Sequence, residues 1–319
     1  MKLTVIGCGR WGTFLAWYLD RLGHTVTLYG RESSARMQRL MQERKNDLLM
    51  LPERMRLTTS LAEAAEAETI VISIGSQNLQ GLMDQLAARG VRGKTFVLCM
   101  KGLEAGTGRR LSEIVRSTLD ASNRVAVWLG PGHVQEFTAG VPNCMVIDSS
   151  DSALKEELAE AFAGDLIRFY YGEDLLGNEI GAAAKNVIGI AAGMLDGLSL
   201  TTLKGALMSR GTREIARLIA AMGGNELSAY GLCHLGDYEA TVFSRHSQNR
   251  RFGEAFVRGE AYDKLAEGYY TVRALIKLGG EYGVELPICQ AVYDILFEGR
   301  DPRSALDALF KRERKRELK

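Results

Sequence analysis

The sequence lacks the cysteine arrangements on which disulfide scaffolds and metal sites depend. Its five cysteines, Cys8, Cys99, Cys144, Cys233 and Cys289, are odd in number and scattered. No CxxC pair is present, and no cysteine clusters with histidine at metal-ligand spacing. We therefore expect reduced, mostly buried thiols in a cytoplasmic protein that binds no metal.

An excess of charge of one sign is also absent. The formal net charge of +1 argues against a general polyanion-binding role and hence against a nucleic-acid partner. The one strong charge run is basic and lies at the carboxyl end, at Lys311, Arg312, Arg314, Lys315, Arg316 and Lys319. We interpret it as a solvated helix end rather than a nucleic-acid site.

Long hydrophobic runs are missing as well. No segment reaches the ~18 to 20 uncharged apolar residues of a membrane helix, and the apolar run at the amino end is too short for a signal peptide. We therefore expect no membrane insertion. With 319 residues, of which 46% are hydrophobic, the chain is long enough for two domains.

A glycine motif stands at the start of the chain. Residues 2–6 predict a short strand, Gly7, Gly9 and Gly12 follow in GxGxxG spacing, and a helical pattern then runs to Gly23. Such glycines permit a tight turn and close approach to a pyrophosphate, which the helix amides would bind. The alternative is a glycine-rich turn without a ligand, but the strand-turn-helix context favours a dinucleotide site.

The end of the second predicted strand bears on cofactor choice. An NAD-preferring site usually has Asp or Glu after residues 24–29, whereas this chain has Arg31 followed by Glu32. A cation there suits the additional phosphate of NADP. We therefore expect NADP to be favoured, and Glu32 keeps NAD as an alternative.

Further strand patterns alternate with helical or mixed segments, at residues 69–74, 95–100, 124–129, 144–147 and 166–170. This alternation predicts a doubly wound, mostly parallel α/β sheet with its ligand at the carboxyl ends of the strands. Lys101 follows one such strand and Gly130, Pro131 and Gly132 follow another. Lys101 is either a solvated loop residue or a contact to phosphate or carbonyl.

Helical periodicity dominates from residue 179 onward. We therefore predict a Rossmann-like domain at 1–178 and an all-helical domain at 179–319. The segment 177–197 is an almost wholly apolar helix with one cation, Lys185, and no acidic residue lies three or four positions away from it.

Lys185 has two interpretations. Burial lowers the proton affinity of a lysine and makes it useful for proton transfer. Alternatively, Lys185 forms an ordinary ion pair or extends its long stem to water. Either way its partner must come from outside its helix. Asp237 is one candidate, although it could also be a surface helix cap.

Nine motifs are spread along the chain: GxGxWGT (7–13), KGLE (101–104), the GP turn (130–131), EIGxxxKNVIxIAAGMxDG (179–197), SRG (209–211), LGD (235–237), NRRFG (249–253), AEGYYT (266–271) and ELPICQAVYDILFEG (285–299). Together these motifs are far more specific than the glycine motif. With them the chain resembles the NAD(P)-dependent glycerol-3-phosphate dehydrogenases over essentially its full length.

The resemblance implies hydride transfer between a nicotinamide and dihydroxyacetone phosphate, giving glycerol 3-phosphate for glycerophospholipid synthesis. It implies that Lys185 is the catalytic acid and base, assisted by Asp237 and Asn186. The substrate set that it implies is Lys101, Gly130, Gly132, Lys185, Asp237, Thr241, Ser247, Gln248 and Asn249. The cofactor set is Gly7, Gly9, Arg10, Trp11, Gly12, Arg31, Lys101, Val134, Gln248 and Glu267.

Three departures from the family pattern concern the substrate. Gly132 replaces a serine or threonine, and 198–202 replace a glycine-rich segment with asparagine. Gln248 replaces an arginine expected to hold the substrate phosphate, and it brings neither charge nor a bidentate fork. Arg245 or Arg250 could compensate.

Two other functions remain open. A related two-domain dehydrogenase acting on another small hydroxy compound would fit Gln248. A nucleotide sensor without turnover would not need a lysine in an apolar helix. His133 and His234 could line the pocket, His24 is expected to be structural, and a homodimer through the helical domain is plausible.

Overall fold

A computed structural model describes residues 1–314, 316 and 317. Lys315 and Lys319 of the basic run lie outside the described residues. Eight strands form one sheet: β1 (Lys2–Ile6), β2 (Thr25–Tyr29), β3 (Arg56–Thr58), β4 (Thr69–Ile72), β5 (Thr95–Leu98), β6 (Arg124–Leu129), β7 (Asn143–Asp148) and β8 (Ile167–Tyr171).

The strand order is β3-β2-β1-β4-β5-β6-β7-β8, and the order reverses between β1 and β4. Every neighbouring pair is parallel except β6 and β7, which are antiparallel. The predicted doubly wound, mostly parallel sheet is confirmed. The three-residue β3 was not predicted, because so short a segment carries little periodicity.

Thirteen α-helices lie in the described part of the chain: α1 (Arg10–Arg21), α2 (Ala35–Glu43), α3 (Leu61–Ala64), α4 (Leu79–Ala87), α5 (Leu111–Thr118), α6 (Val134–Thr138), α7 (Ser152–Phe162), α8 (Leu175–Gly197), α9 (Lys204–Ala221), α10 (Gln248–Arg258), α11 (Glu267–Glu281), α12 (Pro287–Phe297) and α13 (Pro302–Phe310). After β8 the described residues form helices and turns only. None of these helices is long and apolar enough to cross a membrane.

Helix α8 is the central helix of the carboxyl-terminal half. It begins two residues earlier than predicted, because the Asp174 side chain caps it by accepting a hydrogen bond from Gly177 N at 3.0 Å. Nineteen of its 23 residues are buried, from Gly177 through Leu195. The prediction of a buried rather than an amphipathic helix is therefore confirmed.

Glycines let the neighbouring helices approach α8 closely. A Cβ at Gly193 would lie 1.8 Å from Arg250 O on α10, and a Cβ at Gly253 would lie 2.1 Å from Ile190 O on α8. On α11, a Cβ at Gly268 would lie 2.6 Å from Asn186 O. These contacts hold the backbone around Lys185 in a close-packed cluster of three helices.

Candidate active site

The GxGxxG segment joins β1 to α1 beside the point where the strand order reverses. Gly7 has φ of +122°, and a Cβ there would lie 2.1 Å from Ser73 O, beyond the end of β4. A Cβ at Gly12 would lie 1.9 Å from Gly7 O. Both positions therefore require glycine, the first for its backbone angle and the second for close packing.

The first turn of α1 is suited to an anion. Gly9 is the N-cap residue and makes no side-chain capping hydrogen bond. A Cβ at Gly9 would meet only Arg36 Nη1, at 4.0 Å, so the surface above the turn is open. Free amide donors and the helix dipole favour a phosphate at such a position. These residues fit a dinucleotide pyrophosphate.

Arg10 and Trp11 are the first two residues of α1. Arg10 is exposed, whereas Trp11 is half-buried. The Trp11 ring packs on Phe14, with ring centroids 5.2 Å apart, and on Phe137, with centroids 6.1 Å apart. Arg10 is thus free to meet a ligand, while Trp11 closes the side of the glycine turn.

Two arginines lie near this turn, beyond the end of β2 and on α2. Arg31 is exposed beyond the end of β2, as predicted. Arg36 on α2 was not predicted, and its guanidinium reaches the surface above Gly9. The folding of α2 back over the glycine turn creates this second cation, and no motif in the sequence marks it.

The partners of Lys185 lie outside its own helix, as the sequence predicts. Its Nζ donates to Thr241 Oγ1 at 2.7 Å and lies 3.1 Å from Asp237 Oδ2. Lys101 Nζ donates to the same Asp237 oxygen at 2.6 Å and to Gly130 O at 2.5 Å. The ends of β5 and β6, helix α8 and the 235–243 segment therefore meet at one carboxylate, which is buried and is not a surface cap.

The electrostatics of this cluster favour proton transfer. Burial lowers the pKa of Lys185 to about 8, Asp237 opposes the shift, and the Lys101 charge adds to it. Asp237 Oδ1 has no hydrogen-bond partner among the described residues. An ammonium near its pKa and an unpaired carboxylate oxygen are both available to a ligand.

Two asparagines connect the cluster to the helices. Asn186 Nδ2 donates to Lys101 O at 2.8 Å, and Asn186 Oδ1 accepts from Asn249 Nδ2 at 2.9 Å. Asn249 Oδ1 in turn accepts from Gly268 N at 2.9 Å. This chain of amides fixes α8, α10, α11 and the loop after β5 relative to one another.

Gln248 is the first residue of α10, after the buried N-cap residue Ser247. Gln248 Oε1 accepts from Tyr262 Oη at 2.6 Å, and Nε2 donates to His246 O at 3.3 Å. The side chain is thus held by two neutral groups, one on each side of α10 in the chain. Tyr262 was not among the predicted residues.

The structure does not support Arg250 as the compensating cation. Its guanidinium Nη1 donates to Asp196 Oδ2 at 2.6 Å and to Glu254 Oε2 at 3.0 Å. Two carboxylates thus already neutralise the Arg250 charge. Arg245 is exposed on the loop before α10.

The turn after β6 explains Gly132. Gly130 has φ of +122° and Gly132 has φ of +155°. A Cβ at Gly132 would lie 2.4 Å from the Phe137 ring, which stacks on Phe14 at 5.1 Å between centroids. Phe137 therefore takes the space that a larger residue at 132 would need. Val134 begins α6 and is buried.

Glu267 begins α11 and reaches the end of β4. Its carboxylate accepts from Ser76 N at 3.0 Å and also from the Ser76 hydroxyl. Burial raises the pKa of Glu267, and the Ser76 donors oppose the shift. Ser76 was missed because the two residues are 191 positions apart and nothing in the sequence couples them.

The histidines take different environments. His234 Nδ1 lies 2.8 Å from Gly181 O and Nε2 lies 2.7 Å from Tyr238 Oη, and burial lowers its pKa to about 4. His133 Nε2 is buried without a partner among the described residues. His24 lies just before β2, and its Nε2 is 2.8 Å from Ala161 O on α7. Across residues 1–314, 316 and 317, no three acidic, histidine or cysteine side chains are grouped as metal ligands would be.

Two family models match the chain. The model described as the NAD-dependent glycerol-3-phosphate dehydrogenase N-terminus matches residues 2–155, and the model of the C-terminus of that enzyme matches residues 174–307. A protein from Chlorobium limicola named glycerol-3-phosphate dehydrogenase [NAD(P)+] is 36% identical, and the alignment covers 100% of both chains.

Solved structures agree with these matches. The crystal structure of glycerol-3-phosphate dehydrogenase from Coxiella burnetii is 30% identical and has a TM-score of 0.90, with 98% of this chain and 99% of that chain covered. A ketopantoate reductase from Ralstonia eutropha shares the fold alone, at 15% identity and a TM-score of 0.63, with 97% and 99% covered. With both halves matched and a full-length relative at 36% identity, the chain belongs to the NAD-dependent glycerol-3-phosphate dehydrogenase family.

Proposed function

We propose that this protein catalyses the reversible transfer of a hydride between NAD(P)H and dihydroxyacetone phosphate, with glycerol 3-phosphate as the reduced product. The observation that carries the proposal is the position of Lys185. Its ammonium lies on a buried helix, 3.1 Å from Asp237 Oδ2, where the ends of β5 and β6 meet α8. Full-length relatives with this enzyme name support the same reaction.

The cofactor side of the site is the GxGxxG turn and its surroundings. When bound, the nicotinamide nucleotide supplies or accepts the hydride. Gly7, Gly9, Arg10, Trp11 and Gly12 hold the pyrophosphate, and Val134 and Gln248 line the same crevice. Glu267 and Lys101 mark the nicotinamide end.

The exposed pair Arg31 and Arg36 favours NADP over NAD. Both cations lie where the adenosine ribose would approach, beyond β2 and at the start of α2. Glu32 is exposed as well, and its backbone oxygen accepts from Gln38 Nε2 at 3.1 Å. NAD is therefore still accepted, and NADP is the preferred cofactor.

Lys185 moves the proton. In reduction, its ammonium donates a proton to the oxygen that becomes the hydroxyl at C2, and in oxidation the neutral amine takes that proton back. A pKa of about 8 leaves both forms accessible near neutral pH. Asp237 orients the Lys185 ammonium and partly offsets the burial of its charge.

Other residues position the substrate. Lys101 places a second cation beside the reacting oxygen, and Thr241 fixes the Lys185 ammonium by a 2.7 Å hydrogen bond. Asn186 acts as a positioning residue, because its amide is used by Lys101 O and Asn249. The phosphate end of the substrate faces the segment formed by Gly130, Gly132, Ser247, Gln248 and Asn249.

The division of labour follows the two halves of the chain. Residues 1–178 supply most nucleotide contacts, and residues 179–319 supply Lys185, Asp237 and most substrate contacts. Glycerol 3-phosphate is the backbone from which glycerophospholipids are built, so the reaction supplies lipid synthesis in the cytoplasm.

A second candidate substrate is a small hydroxy or oxo compound without phosphate, which the neutral Gln248 favours. The test is oxidation of NADPH and of NADH by the purified protein with dihydroxyacetone phosphate, dihydroxyacetone and small 2-oxo acids. Robust turnover with dihydroxyacetone phosphate alone supports the proposal. Turnover with an unphosphorylated compound instead, or nucleotide binding without any turnover, contradicts it.

A further inference from the structure

Among the buried polar atoms that have no hydrogen-bond partner in the described residues are Asp237 Oδ1 and His133 Nε2. The first belongs to the carboxylate that holds Lys185 and Lys101. The second belongs to no part of the proton-transfer cluster. Because an unpaired buried polar atom in a native site calls for an explanation, His133 is a candidate for a ligand contact.

His133 is not alone. It is the N-cap residue of α6, but its side chain makes no capping hydrogen bond, so its ring is free for another role. Its ring centroid lies 5.8 Å from that of His246, with the ring planes at 68°. The loop after β6 and the loop before α10 thus bring two imidazoles together. His246 lies two residues before Gln248 in the sequence.

The surroundings of the pair favour the neutral form of His133 when no ligand is bound. Burial lowers the pKa of His133, Lys185 on α8 and His246 add to this shift, and Glu136 on its own helix and Asp237 oppose it. For His246 the described contacts are the His133 ring, the Ser244 hydroxyl on its backbone amide at 3.1 Å, and Gln248 Nε2 on its carbonyl. Neither ring forms a salt bridge among the described residues.

A phosphate ester is best bound by donors that carry positive charge, and apart from Arg245 on the exposed loop, the cations considered for this role are already engaged by carboxylates. Arg250 is held by two carboxylates, Gln248 is neutral, and Lys101 and Lys185 share the Asp237 charge. A phosphate monoester carries about −1.5 to −2 charge at pH 7. A dianion placed beside two imidazoles stabilises their protonated form, which donates from both ring nitrogens.

We propose that His133 and His246 together bind the phosphate group of the substrate and take the place of a phosphate-binding arginine. This inference rests on the proposed function, because it requires a phosphorylated substrate. Binding of the phosphate then favours the protonated form of His133, which burial otherwise opposes. The selectivity for dihydroxyacetone phosphate over dihydroxyacetone therefore depends on these two rings.

The experiment compares kcat/KM for dihydroxyacetone phosphate and for dihydroxyacetone in the wild type, His133→Gln, His246→Gln and the double variant. His24→Gln, outside the site, is the matched control. The expected loss for the phosphorylated substrate at pH 6.5 is about tenfold per histidine, the scale of one charge-assisted hydrogen bond. The activity toward dihydroxyacetone should change little, because that substrate carries no phosphate. A role confined to folding would instead lower both activities.

Two further readouts make the test decisive. Gln248→Arg added to the double variant should restore selectivity for the phosphorylated substrate. Calorimetric titration of the NADPH complex with glycerol 3-phosphate, in buffers of different ionisation enthalpy, should show proton uptake in the wild type that is reduced in the double variant.

The failures are distinguishable. If the wild type does not prefer the phosphorylated substrate, both the proposed function and this inference are wrong. If the wild type prefers it and the histidine variants keep the same preference, or lose both activities equally, only the inference is overturned.

Discussion

Lys185 Nζ and Asp237 Oδ2 lie 3.1 Å apart, although the two residues are 52 positions apart in the chain. Both residues are buried. Removing the Asp237 charge would leave the buried Lys185 ammonium beside Lys101 without the carboxylate that compensates it. Lys101 lies 2.6 Å from the same oxygen, so the carboxylate is shared between two cations. The excess positive charge and the burial together keep Lys185 close to releasing its proton.

The pH dependence of the two reaction directions follows from this arrangement. Reduction needs Lys185 protonated, so its kcat should fall as pH rises through about 8, the pKa of Lys185. Oxidation needs the neutral amine, so its kcat should rise over the same interval. Steady-state rates from pH 6 to 10 check this. Parallel pH profiles for the two directions would contradict the assignment.

Charge reversal on the adenosine side should change cofactor preference. In Arg31→Glu and in Arg36→Glu, KM for NADPH should rise by about tenfold or more while KM for NADH changes little, because only NADPH carries the additional phosphate. Arg89→Glu, an exposed change in the loop before β5, is the control. Equal effects on both nucleotides would mean that these arginines do not contact that phosphate.

Gln248→Arg should lower KM for dihydroxyacetone phosphate several-fold, because it adds a cation where the wild type has only a neutral amide. The change also removes the side-chain acceptor of the Tyr262 hydroxyl and leaves the backbone acceptor Gln248 O at 3.0 Å, and Gln248→Met serves as a control for that loss. Steady-state kinetics with a fixed saturating nucleotide measure the effect. An increase in KM for Gln248→Arg would indicate a pocket built for a different substrate end.

The close contact between α10 and α8 should be sensitive to one added methyl group. Gly253→Ala places a Cβ 2.1 Å from Ile190 O and should cost roughly 2 kcal/mol or more in free energy of unfolding. Gly280→Ala on α11 is the matched control, since a Cβ there meets nothing within 4 Å and alanine is the better helix former. Chemical denaturation of both variants checks this prediction. If Gly253→Ala were as stable as Gly280→Ala, the two helices would be able to move apart without a cost in free energy of unfolding.

The glycine turn, the parallel sheet and the buried lysine helix were predictable because each depends on local sequence. GxGxxG and hydrophobic periodicity are short-range signals. The requirement that Lys185 find a partner elsewhere was also local, since its own helix offers no carboxylate. That Asp237 serves both Lys185 and Lys101 was not predictable, because it requires the fold to join three distant segments.

The remaining misses have the same cause. Ser76 is recognised only by its hydrogen bonds to Glu267, and Arg36 only because α2 folds back over Gly9. The antiparallel pairing of β7 cannot be read from its residues, since either direction would bury the same apolar side chains.

The most direct test of the account is turnover by Lys185→Met, which keeps the bulk of the side chain and removes its proton. The account predicts that kcat for reduction of dihydroxyacetone phosphate falls by about 10²-fold or more, the usual contribution of a positioned acid. NADPH affinity, measured by fluorescence titration of the same protein, should remain within a few-fold of the wild type. Turnover close to that of the wild type would contradict the central claim.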